Sequence, residues 1–227
     1  MNRMHQRYPD VARLDAPTVL FSQWTVGTAA RQRAAADAAH EAWSRTGWPA
    51  GLAAHASFAS ADGATLLHHS QWKDPAAVAG FRDGDRRNWM AAVDAAVPGI
   101  ERDWAFETRL YRSMRPGDPA RTGCLVLVSF ETDGPHAQHA FVDALFERVE
   151  TAPASHHPGA ISSHFHLSTD GSRIFNYSEW TSAKAHEEML ATQLRPDGAL
   201  VRFIERFAGL RPLGFRRYEL LRSRAGS

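Results

Sequence analysis

The sequence predicts an α+β protein built from two tandem βαββαβ units, and three observations predict it. The chain has 227 residues, enough for two small domains. A distinctive segment occurs twice: SFASADGATLLHHSQWKDPAAVAGF from Ser57 to Phe81, and FHLSTDGSRIFNYSEWTSAKAHEEML from Phe165 to Leu190. The same order of strand-like and helix-like runs surrounds each copy. Asp62-Gly63 matches Asp170-Gly171, Ser70-Gln71-Trp72 matches Ser178-Glu179-Trp180, and Asp74 matches Ser182. All three pairs keep one spacing, 108 residues, with no gap, and such self-similarity is the mark of a repeat.

The elements follow in order. Each copy opens on a β-rich run, VLFSQWTV (Val19–Val26) and CLVLVSFE (Cys124–Glu131). A helical run comes next, Ala29–Trp43 and then Pro135–Val149, the second with Phe141, Leu145 and Val149 on one face at four-residue steps. Two strands joined at Asp-Gly read as a hairpin. Asp74 before Pro75, and Ser182 in the second copy, read as helix caps. Each copy closes on a strand, Phe106–Ser113 and Phe215–Leu221. This order is ferredoxin-like, so the expected domains are 16–113 and 122–221, with a linker at Met114–Arg121 that carries two prolines and a glycine. Helices cover one face of such a sheet. Two sheets can bury their other faces against each other, which predicts a pseudo-dimeric α+β barrel within one chain.

Composition narrows the function classes. Net charge is +1, which argues against nucleic acid as a partner. No stretch approaches the 18 apolar residues of a spanning helix, and the polar start lacks the apolar core of a signal peptide. No membrane partner and a cytoplasmic location are expected. Cys124 is the single cysteine, so no internal disulfide can form; it reads as a small buried strand residue.

A hairpin strand ending in Ser178-Glu179-Trp180, followed by Thr181-Ser182 and a helix with Ala185-His186, resembles the antibiotic biosynthesis monooxygenase family. The second copy carries the better match; the first has Ser70-Gln71-Trp72 and Val78 in place of the helix histidine. The resemblance covers most of both halves. It implies a dimeric α+β barrel fold, here as a tandem-fused member. Its oxygenases turn phenolic or anthrone polyketides into quinones, often without a metal or bound flavin. It implies a small aromatic substrate, O2 as co-substrate, no tightly bound cofactor, and reduced flavin, supplied by a flavin reductase, as an open question. Relatives on the fold act as polyketide cyclases.

The histidines and aromatics carry chemistry of their own. His68-His69, His156-His157 and His164-x-His166 are dense in histidine, but no third ligand or HExxH pattern completes a metal site, so no metal is expected. No GxGxxG opens a nucleotide fold. With Asp170-Gly171 at the turn, His164 faces Tyr177 and His166 faces Phe175. One strand face then carries His164, His166, Phe175, Tyr177 and Glu179; the other carries Phe165, Leu167, Ile174, Asn176 and Ser178. The shift of 108 puts Ala56, Phe58, Leu67, His69 and Gln71 on the matching face of the first copy. This histidine-aromatic face is the expected pocket, with the other face against helices. His164, His166 and His69 are the expected bases, since imidazole titrates near neutral pH. Tyr177, Phe175, Phe58, Trp24, Trp72 and Trp180 are the expected substrate contacts, although Trp72 and Trp180, each at a strand end, also suit core packing. A cyclase or isomerase using the same pocket, or a non-catalytic binding protein, stays open, as does homodimerisation.

Overall fold

The computed structural model describes residues 7–115, 121–151, 158–193 and 198–226. Among them are eight strands and six helices in an α+β arrangement. Most of the expected linker and the His156-His157 pair fall outside the described residues. The chain divides into two compact units. The first is Met1–Thr108 with Tyr218–Ser227, and the second is Arg109–Arg217.

The first unit runs β1 (Thr18–Thr25), α1 (Ala29–Thr46), β2 (Leu52–Ser60), β3 (Thr65–Trp72), α2 (Pro75–Asp83), α3 (Arg86–Ala96) and the start of β4 (Glu101–Met114). β3 pairs antiparallel with both β1 and β2. β4 lies beside β1, where Gln23 Nε2 donates to Asp103 at 2.8 Å and the Thr108 hydroxyl donates to the Val19 carbonyl at 3.1 Å. On the other edge, Tyr218–Ala225 pairs with β2. The expected cap forms: the Asp74 carboxylate accepts from Ala77 N at 2.8 Å, with Pro75 opening α2.

The second unit repeats the order: β5 (Cys124–Thr132), α4 (Pro135–Thr151), β6 (Ala160–Ser168), β7 (Arg173–Trp180), α5 (Ala183–Gln193), α6 (Ala199–Arg206) and the start of β8 (Leu210–Ala225). The Ser182 hydroxyl accepts from Ala185 N at 3.1 Å, capping α5. Hairpin registers agree residue for residue: His55↔Ser70 and Ser57↔His68 in β2–β3 correspond to Ser163↔Ser178 and Phe165↔Asn176 in β6–β7. Both hairpins shift register at equivalent points, Leu52/Ala54 and Ala160/Ser162. β1 and β5 are related by 106 residues, since Thr18 opposes Trp72 and Cys124 opposes Trp180.

One buried amide braces each unit in the same way. Gln32 Nε2 on α1 donates to the Ser60 carbonyl, the Ser60 hydroxyl and the Thr65 carbonyl at 2.7–3.1 Å. Gln138 Nε2 on α4 does so to Ser168 and Arg173 at 2.8–3.2 Å. A single side chain therefore holds the helix to both ends of its hairpin turn. Gly171 N donates to the Ser168 carbonyl at 3.1 Å, and Leu167↔Ile174 centres the hairpin on Asp170-Gly171, as expected. Gly171 has φ +77, and a Cβ there would sit 2.6 Å from Pro135 Cδ, which excludes other residues on both counts.

Three features differ from the sequence expectation. β4 and β8 are much longer than Phe106–Ser113 and Phe215–Leu221, because each serves both units; β4 passes between them at Thr108/Arg109 and β8 at Arg217/Tyr218. The compact units therefore do not coincide with 16–113 and 122–221. Each unit also carries an extra helix, α3 and α6, before its last strand. In α3 the buried residues Trp89 and Val93, with Val97 just beyond, step by four.

The cores lie between each sheet and its helices. In the first unit Trp24, Trp43, Leu66, Trp72, Val78 and Trp89 gather around an alanine face of α1, namely Ala35, Ala36, Ala39 and Ala42. In the second, Phe141, Val142 and Phe146 of α4 pack on Phe130, Phe165, Leu167 and Ile174. No helix among the described residues is long and apolar enough to cross a membrane.

Candidate functional site

A cavity of about 180 Å³ opens between the sheet and the helices of the first unit. Strand periodicity builds its floor: Leu20, Ser22 and Trp24 alternate along β1, and His68, Ser70 and Trp72 along β3. β2 adds His55, and β4 adds Arg102 and Trp104. The helices close it with Trp43, Phe81, Arg86, Trp89 and Met90. α1 reaches the cavity through Trp43, while its alanines pack in the neighbouring core.

The aromatic wall is continuous. Trp43 and Trp89 stack with ring centres 4.5 Å apart at 20°. Phe81 lies 5.3 Å from both Trp43 and Trp72, and Trp24 lies 5.6 Å from Trp89. Two indoles are anchored, Trp89 Nε1 donating to the Ala39 carbonyl at 3.1 Å and Trp72 Nε1 to the Ser70 hydroxyl at 2.9 Å. Such walls suit a flat apolar ligand.

The polar groups are few. The His68 ring lies 4.0 Å from Trp24 and 5.3 Å from His55, stacked at 23°. His68 Nδ1 is 3.1 Å from the Ser57 hydroxyl. His68 Nε2 and His55 Nδ1 are buried without a hydrogen-bond partner among the described residues. Arg102 sends Nη2 to Asp94 at 2.6 Å and Nη1 to the Ile100 carbonyl at 3.4 Å, and its guanidinium carbon lies 5.0 Å from the Trp24 ring centre. Arg102 Nε is buried without a partner among the described residues.

Both imidazoles are neutral near pH 7. Burial pushes His68 down to about 3, and His40 and Arg102 nearby act in the same direction. Burial likewise pushes His55 well below the usual histidine range, helped by His68, His40 and His69. Behind them His40, 5.5 Å from His55, is pushed down to about 4 by burial and by Arg222 and Arg224, with Asp37 opposing.

The structure distributes the sequence-predicted residues unevenly. Trp24 and Trp72 line the cavity. His69 and Phe58 occupy the opposite face of the same sheet, His69 beside Phe21 at 5.1 Å and Phe58 beside Tyr8 at 5.8 Å. In the second unit His164, His166, Phe175 and Tyr177 do share one buried face, with the predicted register. His164 Nδ1 lies 2.8 Å from the Ser113 hydroxyl. Trp180 packs with Cys124, Val126 and Ala185 and meets His186 edge-on at 5.0 Å. His55, His68, Arg102, Trp43 and Trp89 were not among the predicted site residues. A usable signal was the register itself, which puts His55, Ser57 and His68 on the helix side.

No protein-family model matches the chain, and no curated protein matches it in sequence. Solved structures do. The chain is similar to an anthrone oxidase-like protein at 16% identity and a TM-score of 0.70, covering 93% of this chain and 94% of that one. It is also similar to a candidate monooxygenase of Fusobacterium nucleatum subsp. nucleatum, at 10% identity and TM-score 0.60, covering 95% and 97%. A third, a candidate monooxygenase of Lactobacillus acidophilus, gives 9% and 0.55, covering 92% and 96%. The likeness is one of fold. The chain has the ferredoxin-like α+β architecture of these monooxygenase-type proteins.

Proposed function

We propose that this protein is a monooxygenase that oxidises a planar phenol or anthrone of the aromatic polyketide type, within the cavity of the first unit. The observation that carries the reading is that cavity: flat indole walls, with a neutral histidine pair, two arginines and two serines as its polar groups. The structures of similar fold, named as monooxygenases and as anthrone oxidase-like, support it. In this reading the chain is a tandem-fused, cytoplasmic member of the antibiotic-biosynthesis type, its two units standing for the partners of a dimer.

The chemistry closes without a further reductant. Anthrone and O2 give anthraquinone and water. One carbon loses two hydrogens and gains one oxygen atom, and the other oxygen atom leaves with those hydrogens. The substrate supplies all four electrons. The enzyme must first favour the enolate or phenolate, which passes an electron to O2. Arg102 favours that anion by charge, and His55 Nδ1 is the proton acceptor we assign. Its imidazolium is costly when buried alone, but an adjacent substrate anion offsets that cost. This places the chemistry on the helix side of the sheet, away from His69 and from the His164–His166 face. Single ring hydroxylation would require two more electrons, and there reduced flavin, delivered by a reductase, would serve as diffusing co-substrate.

The test is oxygen uptake with anthrone and naphthol substrates, with and without reduced flavin. Quinone formation with one O2 consumed per turnover is expected. Product at full rate under strict anaerobiosis would instead identify a cyclase or isomerase.

A further inference from the structure

We propose that the cavity of the first unit takes an aromatic acid, its rings between the indole walls and its carboxylate held at the mouth by Arg86. The inference rests on that cavity being the substrate site. It adds the charge that the substrate carries and the residue that reads it.

Helix periodicity turns Arg86 toward the cavity. It opens α3, and Trp89 and Met90 follow at three and four residues, the spacing that puts side chains on one helix face. All three line the cavity. Burial grades along that lining. Trp24, Trp43, Trp72 and Trp89 are buried, Met90 is half-buried, and Arg86 is exposed. The space is thus apolar within and cationic at its entrance. A ligand that matches it has a flat apolar body and an anionic end.

The charges around the cavity leave Arg86 unmatched. No carboxylate is among the lining residues. Arg102, the other lining arginine, is paired with Asp94 at 2.6 Å. On the preceding helix, Arg82 lies 3.9 Å from Glu107. Asp83 and Asp85, near the start of α3, are exposed and do not line the cavity. Arg86 itself has no ion-pair partner among the described residues. Its guanidinium is a planar fork of donors that fits a carboxylate through two hydrogen bonds at once. A ligand seated in the mouth covers part of that guanidinium, so the pair is screened less than one on open surface. A neutral aromatic fills the same walls and leaves the cation unused.

The experiment titrates the full chain, by calorimetry and without oxygen, with 2-naphthoate and with 2-naphthamide, its neutral counterpart of the same shape. The acid is expected to bind at least about fivefold more tightly at low salt, and the gap to shrink at high salt. Arg86→Gln should close the gap, Arg86→Lys should keep part of it, and Arg82→Gln should leave it unchanged. Arg86 is exposed, so these changes spare the core. Equal affinity of acid and amide, a gap that survives in Arg86→Gln, or absence of binding overturns the inference. Oxygen uptake with 1-hydroxy-2-naphthoate reports separately. Tight binding of the acids without uptake defeats the oxidation reading and leaves the acid site standing. Uptake with 1-naphthol, alongside equal binding of naphthoate and its amide, defeats this inference alone.

Discussion

The helix-facing sides of the two units are built on one plan and filled in opposite ways. Where the first unit has His55 and His68, the second has Ser163 and Asn176, which hydrogen-bond to each other at 2.8 Å. Where α1 offers Ala35 and Ala36, α4 offers Phe141 and Val142, and Trp24 is answered by Phe130. The second unit closes over phenylalanines. The first keeps an indole-walled space with unpartnered nitrogens. Duplicated architecture thus separates two tasks: a packed copy for stability, and a copy whose core is left open at the cost of buried polar groups.

The largest expected effect comes from rewriting one copy as the other. The double change His55→Ser with His68→Asn installs the second unit's pair in the first. Substrate oxidation should fall by about 10²–10⁴-fold, while circular dichroism and melting show a folded protein. A double variant that oxidises at the original rate would erase the functional contrast. In the packed copy, Phe141→Ala should cost about 3–5 kcal/mol in denaturant unfolding, because Phe141 is fully buried among Phe130, Phe203 and Phe207. A cost below about 1 kcal/mol would mean that this core is as loosely filled as the other.

The shared brace sharpens the comparison from the other side. Gln32→Leu and Gln138→Leu should each destabilise by about 1–3 kcal/mol, and by similar amounts, as their contacts are alike. A cost in only one unit would show that the plan is not shared energetically. The next effect is larger in the first unit, where His40, His55 and His68 are all depressed, than in the second, where burial and Arg217 lower His186 to about 4. His55 and His68 have depressed folded-state values, so the unfolded chain binds protons first as pH falls. Their contribution is present above the ordinary histidine range near 6.5 and is lost on acidification, for His68 toward about 3. Stability should fall between pH 6 and 4 by up to about 1.4 kcal/mol per unit for each histidine, and His68→Asn should flatten the slope. The smallest effect expected is on turnover in His164→Ala, less than the about tenfold that 1.4 kcal/mol represents. A strong loss there would move the chemistry to the second unit's His164–Tyr177 face.

Much of the fold was legible because it is written in local rules. The Asp-Gly turns, the Asp74 and Ser182 caps and period-two alternation fix hairpins and helix starts within a few residues, and the His164↔Tyr177 register followed from them. The length of β4 and β8 was not legible. Their outer residues, such as Arg109 and Arg211, are exposed and charged, and pairing to a distant strand, not composition, makes them strand. Of the residues lining the first unit's cavity, the sequence named Trp24 and Trp72, while histidine density favoured the face with His69, His164 and His166. Which side of a strand holds a cavity depends on the facing helix, and the bulk of Ala35 against that of Phe141 is one of several differences between the copies. Arg102 had no signal, since its role depends on Asp94 and Trp24 meeting it from other elements.

One consequence of the topology concerns time. The first unit draws its edge strand from Tyr218–Ala225, which pairs with β2. During synthesis, Met1–Thr108 emerges without that edge. At about 5–20 residues per second, the polypeptide needs about 5–20 s more before Tyr218 is made. Throughout that interval β2 exposes an open edge, the kind of surface that invites pairing with other chains. The second unit, contiguous from Arg109 to Arg217, has no such wait. The copy that carries the cavity is therefore the last to be completed, and crowding on the ribosome threatens it before its packed counterpart.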